Sequence, residues 1–393
     1  MSKRLIDLSP DLSKLRDEGH DIEIRANYLL VKDVPYVTTN REVKRGVLVS
    51  ELTTAGERTD VPGDHVVFFA GETPCDAGGS ALNKIIIDNT ERPLAEGLKT
   101  NYRFSSKPVP AGKYKDYHEK MAAYIAILCS HAQAIEPKAT ARTNPVVTAT
   151  EEESVFEYLD TASSRAGISL VTKKLELAKV AIVGLGGTGS YVLDLVAKTP
   201  VAEIHLFDED VFFTHNAFRA PGAASIEELN AKPKKVAYLK ARYAKMRRGI
   251  VDHDYHIDAS TVTELQGMNF VFLCLDASDA KKVIVEGLEV FGVPFIDVGM
   301  DVGLVDTSLN GIIRVTSSTP QKRDHFAQRV SLADAGVLDE YDQDIQIADL
   351  NSLNAALAVI KWKKLCGFYL DFQREHHSTY SVDCNALTSD EQT

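Results

Sequence analysis

The stretch Val180-Ala-Ile-Val-Gly-Leu-Gly-Gly-Thr-Gly-Ser190 decides how this chain is read. A short apolar run rich in β-branched residues enters a Gly-x-Gly-Gly-x-Gly turn, and a helix-forming stretch leaves it. A strand, a glycine turn and a helix start in that order place backbone N–H groups where a phosphate approaches closely. Gly184, Gly186 and Gly189 satisfy the dinucleotide spacing, and Gly187 lies between them. Asp208 follows at roughly the distance where an acid holds a ribose. These residues alone leave a nicotinamide-dependent dehydrogenase open, and also a turn that binds nothing.

The next segment narrows the choice. Working outward, the chain carries Asp208-x-Asp210, then Asn216, Arg219 and Pro233-Lys234. A dinucleotide enzyme needs no such set. An enzyme that opens a triphosphate does, because dense negative charge must be neutralised while phosphorus is attacked. Arg219 and Lys234 are expected to reach phosphate oxygens, with Asn216 donating an amide hydrogen bond. Asp276 ends the apolar run Phe270-Val-Phe-Leu-Cys-Leu275, at the sheet edge where doubly wound folds bind ligands. A carboxylate there suits Mg²⁺ held against the phosphates of ATP. It equally suits the cap of a helix starting near Ser278.

Composition excludes other classes. The 393 residues are 44% hydrophobic and 25% charged, as in an ordinary globular protein, and long enough for two cored domains. A formal net charge of −12 argues against a nucleic-acid surface. The first residues, Met1-Ser-Lys-Arg-Leu-Ile-Asp-Leu-Ser-Pro10, lack a signal-peptide core. No apolar run approaches the ~18–20 residues of a membrane span. Five scattered cysteines without a Cys-x-x-Cys pair suit a reducing cytoplasm and offer no structural zinc site.

The Thr-, Ala- and Pro-rich stretch 136–150 reads as a linker. Before it, residues 1–145 predict a smaller α+β domain, with strands such as Val47–Leu52 and Val66–Ala70 and a helix from His118 to Ala134. Tyr114, Tyr117 and His118 read as core residues entering that helix. After the linker, residues 155–393 alternate strand and helix, which predicts a parallel sheet covered by helices. Strands are expected at 179–184, 203–208, 252–257, 270–276, 294–298 and 311–316. Helices are expected at 188–198, 234–247, 278–291 and 350–366. An irregular acidic stretch fills 319–348.

With its glycine turn, acid–Asn–Arg spacing, Pro-Lys pair and strand-ending Asp276, the segment 155–316 resembles the ubiquitin-activating superfamily. That superfamily includes the bacterial sulfur-carrier adenylyltransferases of thiamine and molybdopterin synthesis. The resemblance implies a doubly wound, Rossmann-like adenylation domain that uses ATP and Mg²⁺. Lys281, five residues after Asp276, stands where the family often has arginine. Arg165 resembles the family's arginine that crosses a homodimer to the partner's ATP. The implied reaction is attack by the C-terminal carboxylate of a ubiquitin-like protein on the α-phosphate, releasing pyrophosphate.

The chain departs from the family pattern in its cysteines. The crossover segment Val315–Leu350 contains none. Cys274 and Cys366 read as packing residues. Cys384, in a polar C-terminal tail, is the first candidate for a thioester nucleophile, with Cys75 a distant second. An α+β domain ahead of such a domain resembles the activating subunit of bacterial antiphage ubiquitin-like conjugation systems, and this implies a conjugating enzyme as partner. The alternative is an adenylyltransferase for a sulfur carrier. A nucleotide-binding scaffold without chemistry fits less well, since it needs no Arg219, Lys234 and Asp276.

Overall fold

A computed structural model describes residues 2–149, 154–276, 279–332 and 345–392, with backbone alone for 2–4. The chain forms two compact units. One comprises the residues through Val147 together with Thr161–Gly167, and the other comprises Thr148–Asp160 and Ile168–Thr393. The stretch read as a linker therefore largely packs into the first unit, where Ala139 and Ala141 are buried. Thr161–Gly167, assigned by sequence to the second domain, also groups with the first.

The first unit is antiparallel and β-rich. Strands β1 (Ile22–Arg25), β2 (Tyr28–Val37), β3 (Val43–Glu51), β4 (Val66–Ala70), β5 (Ile86–Asp88) and β6 (Tyr102–Ser105) pair in the order β1-β2-β3-β4-β6-β5. Helix α1 (Tyr117–Ile135) starts where Asp116 Oδ1 accepts the Glu119 N–H at 2.7 Å. Its stripe Tyr117, Met121, Tyr124 and Leu128 has helical spacing and packs on Leu48, Phe69 and Phe104 of the sheet. Tyr114 and Tyr117 are core residues, as the sequence predicts.

In the second unit the expected alternation holds. Strands β7 (Lys179–Val183), β8 (Glu203–Phe207), β9 (Ile250–His253), β10 (Phe270–Leu273) and β11 (Phe295–Val305) run parallel in the order β9-β8-β7-β10-β11. Alternate residues of β7 serve opposite faces of the sheet. Val180 and Ile182 pack with Val192 and Val196 of α2 (Gly187–Val196), whereas Ala181 and Val183 join the core built on Ile284 and Leu288 of the later helix 279–291. Burial on both faces explains the unbroken apolar run. The unit is a doubly wound α/β fold.

Three differences from the sequence reading stand out. The third strand is 250–253 rather than 252–257. Gly311–Thr316 lies within a longer strand β12 (Ser308–Ser318), which forms a hairpin with β11. The supposed tail adds β13 (His377–Ser381) and β14 (Ala386–Asp390), so among the described residues the sheet has eight strands. Those two strands are short, mostly polar and largely half-exposed or exposed, which leaves little apolar signal to read. Much of the acidic stretch, residues 333–344, lies outside the described residues. Among the described residues no helix is long and apolar enough to cross a membrane.

Candidate functional site

Strand order reverses between β7 and β10, and the chain leaves the carboxyl ends of these two strands in opposite directions. Such a switch point opens a crevice in doubly wound sheets. Here it is a cavity of about 450 Å³.

Its floor is the glycine turn. Gly184 has φ +87°, and a Cβ there would lie 2.5 Å from the Cys274 carbonyl oxygen. A Cβ on Gly189 would lie 1.9 Å from the Gly184 oxygen, so Gly189 serves the close packing of helix on strand. Gly186, the cap residue of α2, faces open space, and a Cβ there would meet nothing within 4 Å. Gly184, Gly186 and Gly187 line the cavity. The ten-residue α2 presents its unbonded N–H groups there.

Asp208 and Asp210, just beyond β8, line one wall. Asp208 Oδ2 accepts the Leu185 N–H at 2.7 Å and Oδ1 accepts the Asp210 N–H at 2.9 Å, so this carboxylate also clasps the glycine turn. Lys235 Nζ sits 2.7 Å from Asp210 Oδ2 and 3.4 Å from Asp208 Oδ2. Arg219 lines the cavity with its Nε buried and unbonded, and it has no carboxylate partner among the described residues. Asp276 lines the opposite side, three residues beyond the end of β10.

The two members of the Lys234–Lys235 pair are placed differently. Lys234 is the cap residue of helix α3 (Lys235–Tyr243), and its Nζ donates to Glu209 O at 2.6 Å and pairs with Asp254 at 3.0 Å. It does not line the cavity, whereas its neighbour Lys235 does. The Lys-Lys pair is visible in sequence, but the phase of the helix start decides which member turns inward. Asn216 also stands back from the cavity. Its Oδ1 accepts the Phe213 N–H at 2.8 Å, while its buried Nδ2 has no partner among the described residues. Arg165 belongs to the short helix Thr161–Arg165 of the first unit, where its Nη2 donates to Asn144 Oδ1 at 3.1 Å.

Sequence reasoning missed Thr188, Asn351 and Asn354 as lining residues. The asparagines come from α5 (Ala348–Leu365), which lies downstream of α4 (Asp279–Phe291) and which the sequence predicts without a functional face. Two asparagines three apart on a largely apolar buried stripe were the available signal.

Burial holds the thiols of Cys75, Cys129, Cys274 and Cys366 above their ordinary value. Burial, with the Asp297 carboxylate nearby, pushes the Cys274 thiol far up although it borders the cavity. Burial raises Cys366 to about 11 and also raises Cys75. Cys384 is exposed, but it sits in the turn between β13 and β14 rather than in a tail, and it does not line the cavity.

No cluster of three or more metal-binding side chains occurs among the described residues. Mg²⁺ asks for less, since it keeps its waters and takes one or two carboxylates plus phosphate oxygens. Asp276 fits that demand in chemistry and position.

A cavity over a glycine turn, with an arginine that no carboxylate among the described residues matches, defines a nucleotide-phosphate site in a Rossmann-like fold. Comparison with known proteins takes this a step further: residues 161–338 match the ThiF family model, and residues 10–161 match a domain of unknown function (DUF6791). The second unit is thus a ThiF-type Rossmann-like domain preceded by an antiparallel β-rich domain. Among solved structures, that of E. coli MccB is 19% identical with a TM-score of 0.46, covering 59% of this chain and 68% of that one. The E. coli MccB structure with ATP is 18% identical with a TM-score of 0.44, covering 59% and 69%. The structure of PaaA is 17% identical with a TM-score of 0.44, covering 56% and 75%. No curated protein matches the chain.

Proposed function

We propose that the second unit adenylates a carboxylate with Mg·ATP, and that the carboxylate is the C-terminus of a ubiquitin-like protein. The observation that carries the first part is the Arg219 guanidinium, free of any carboxylate among the described residues, in the same cavity as the glycine turn and Asp276. A carboxylate oxygen attacks the α-phosphorus, the bond from that phosphorus to the bridging oxygen breaks, and pyrophosphate leaves. The acid is already ionised, so positioning and charge stabilisation matter more than a general base. Arg219 and the N–H groups of the turn meet the charge that develops on the phosphate oxygens. Mg²⁺, held by Asp276, would add Lewis-acid stabilisation.

The match to the ThiF family over 161–338 supports adenylation, and the motif resemblance supports a ubiquitin-like substrate. The proposal extends to a homodimer in which Arg165 serves the partner's site, and to direct transfer of the acyl group to a conjugating enzyme's cysteine. The raised thiol of Cys274, the one cysteine bordering the cavity among the described residues, supports direct transfer. A bacterial antiviral conjugation system in the cytoplasm is the setting this reading favours. Calorimetric titration tests it at the root: Mg·ATP should bind and NAD should not. ATP–pyrophosphate exchange should then appear with ubiquitin-like proteins ending in Gly-Gly. Tight NAD binding without ATP binding overturns the proposal.

A further inference from the structure

Five polar side chains at the β9 edge of the second unit's sheet form one unbroken line. Glu203 and His205 stand on β8, His253 ends β9, and Tyr255 and Glu264 follow, the last in the short helix Val262–Gly267. His205 Nε2 lies 3.0 Å from Glu203 Oε2, and His205 Nδ1 lies 3.0 Å from His253 Nε2. His253 Nδ1 lies 3.0 Å from the Tyr255 hydroxyl, which in turn lies 2.5 Å from Glu264 Oε2. The two imidazole side chains are only 10% and 16% exposed.

Four links need four protons. At neutral pH a carboxylate supplies none, and a neutral imidazole supplies one. His205 and Lys179 hold the Glu203 carboxyl below its usual range. Burial and the Glu264 contact push the Tyr255 phenol up to about 12, so it keeps its proton. Two neutral rings and one phenol therefore supply three protons, and one link is left with two lone pairs facing at hydrogen-bond distance. A fourth proton, shared by the rings, completes every link and sets the cation between two carboxylates. A fifth is opposed, because burial and the neighbouring His205 ring lower His253. The nearby lysines already have partners: Lys179 Nζ lies 3.2 Å from Glu203 Oε2, and Lys240 Nζ lies 2.5 Å from Asp252 Oδ1.

This line touches the cavity wall. The His253 ring stacks on Phe207 with centroids 4.1 Å apart, and the His253 carbonyl accepts the Asp208 N–H at 3.3 Å. Asp208 is the residue whose carboxylate clasps the glycine turn. We infer, resting on the reading of the cavity as a nucleotide site, that His205 and His253 are positioning residues for it: they share one proton beyond their neutral count, and that proton fastens β9 to β8 where Asp208 leaves the sheet. The tie is complete below the ordinary imidazole value and is lost as pH rises through the higher value of the linked pair.

Calorimetric titration with Mg·ATP at pH 7 and pH 9 reads the tie. Wild-type affinity should fall by about threefold or more at pH 9. Glu264→Gln is the decisive comparison. Its amide N–H donates to the Tyr255 oxygen, turns the phenol proton toward His253 and fills the fourth link without the extra proton. That variant should keep the wild-type affinity at pH 7 and lose the pH dependence. The nucleotide's own titration is common to both proteins and cancels. A merely structural carboxylate would leave the slope as in wild type. Nitrogen NMR of the imidazoles at pH 7 adds a direct count: of the four ring nitrogens of His205 and His253, three should be protonated in wild type and two in Glu264→Gln. Two protonated nitrogens in wild type, equal wild-type affinity at the two pH values, or an unchanged slope in Glu264→Gln overturns the inference. Absence of nucleotide binding at both pH values overturns the reading of the cavity instead, and the nitrogen count still decides whether the rings share the proton.

Discussion

Lys281 Nζ lies 2.6 Å from Asp297 Oδ1, and both side chains are buried. Arg314 Nη2 holds the other oxygen of the same carboxylate at 2.7 Å. Lys281 also donates to the Leu275 carbonyl at 3.1 Å, one residue before Asp276. Lys281 is therefore the tie that joins α4 to β11 and to the strand end carrying Asp276.

Removing one member of such a buried ion pair typically costs about 3–5 kcal/mol, because the partner charge stays buried. Lys281→Met should lower the unfolding midpoint of the second unit by roughly 6–20 °C in scanning calorimetry. An unchanged midpoint would show that the pair contributes nothing to stability.

Two glycines of one turn should behave oppositely. In Gly189→Ala the new Cβ meets the Gly184 carbonyl at 1.9 Å, with backbone on both sides, so the fold itself should lose stability. In Gly186→Ala the Cβ meets nothing, so the melting temperature should stay within about 2 °C of wild type. Any effect of Gly186→Ala should appear only as weaker nucleotide binding. Thermal melts read beside Mg·ATP titrations separate the two.

Arg219→Ala should weaken Mg·ATP binding by about 10- to 100-fold, the size of a lost charge-assisted contact. Arg219→Lys should recover only part, since an ammonium lacks the planar fork. Asp276→Asn should abolish exchange and blunt the dependence of binding on Mg²⁺. Lys234→Ala should leave affinity within about threefold, because Lys234 is engaged by Glu209 and Asp254. Calorimetry on the four variants checks the order, and a severe Lys234→Ala defect would return that residue to the site.

Burial holds the His376 imidazole down at about 4, with its Nδ1 3.0 Å from Ser317 Oγ. The unfolded ring takes a proton near its ordinary 6.5. Between these values the unfolded state binds more protons, so stability rises with pH from about 4 to 6.5 and is flat outside that window. Acidification from pH 7 to pH 5 should cost about 2 kcal/mol through this ring. His376→Gln should shrink the pH 5 to pH 7 difference in urea midpoint. Burial lowers His325 and His377 in the same direction, so a remainder should persist. An undiminished slope in the variant would exclude His376 as a source.

The chain's local patterns determined the second unit's architecture. Unbroken apolar runs such as Val180–Val183 and Phe270–Leu273 mark strands buried on both faces, and the glycine turn marks where a strand must hand over to a helix without room for side chains. Gly184, Gly186, Gly187, Asp208, Asp210, Arg219 and Asp276 were legible as a set because nearly all sit at or just beyond a strand end. Tertiary structure alone decided the rest. Whether Lys234 or Lys235 faces the cavity depends on the phase of one helix start, which neighbouring residues share in sequence but not in space. Asn351 and Asn354 reach the glycine turn and β11 from far downstream of Thr188, as the Thr188–Asn351 bond records. Lys281 and Asp297 neutralise each other only once α4 lies on the sheet. Local sequence carries periodicity and backbone permission, whereas pairing between distant polar atoms is set by packing, because burial is what makes each of them need the other.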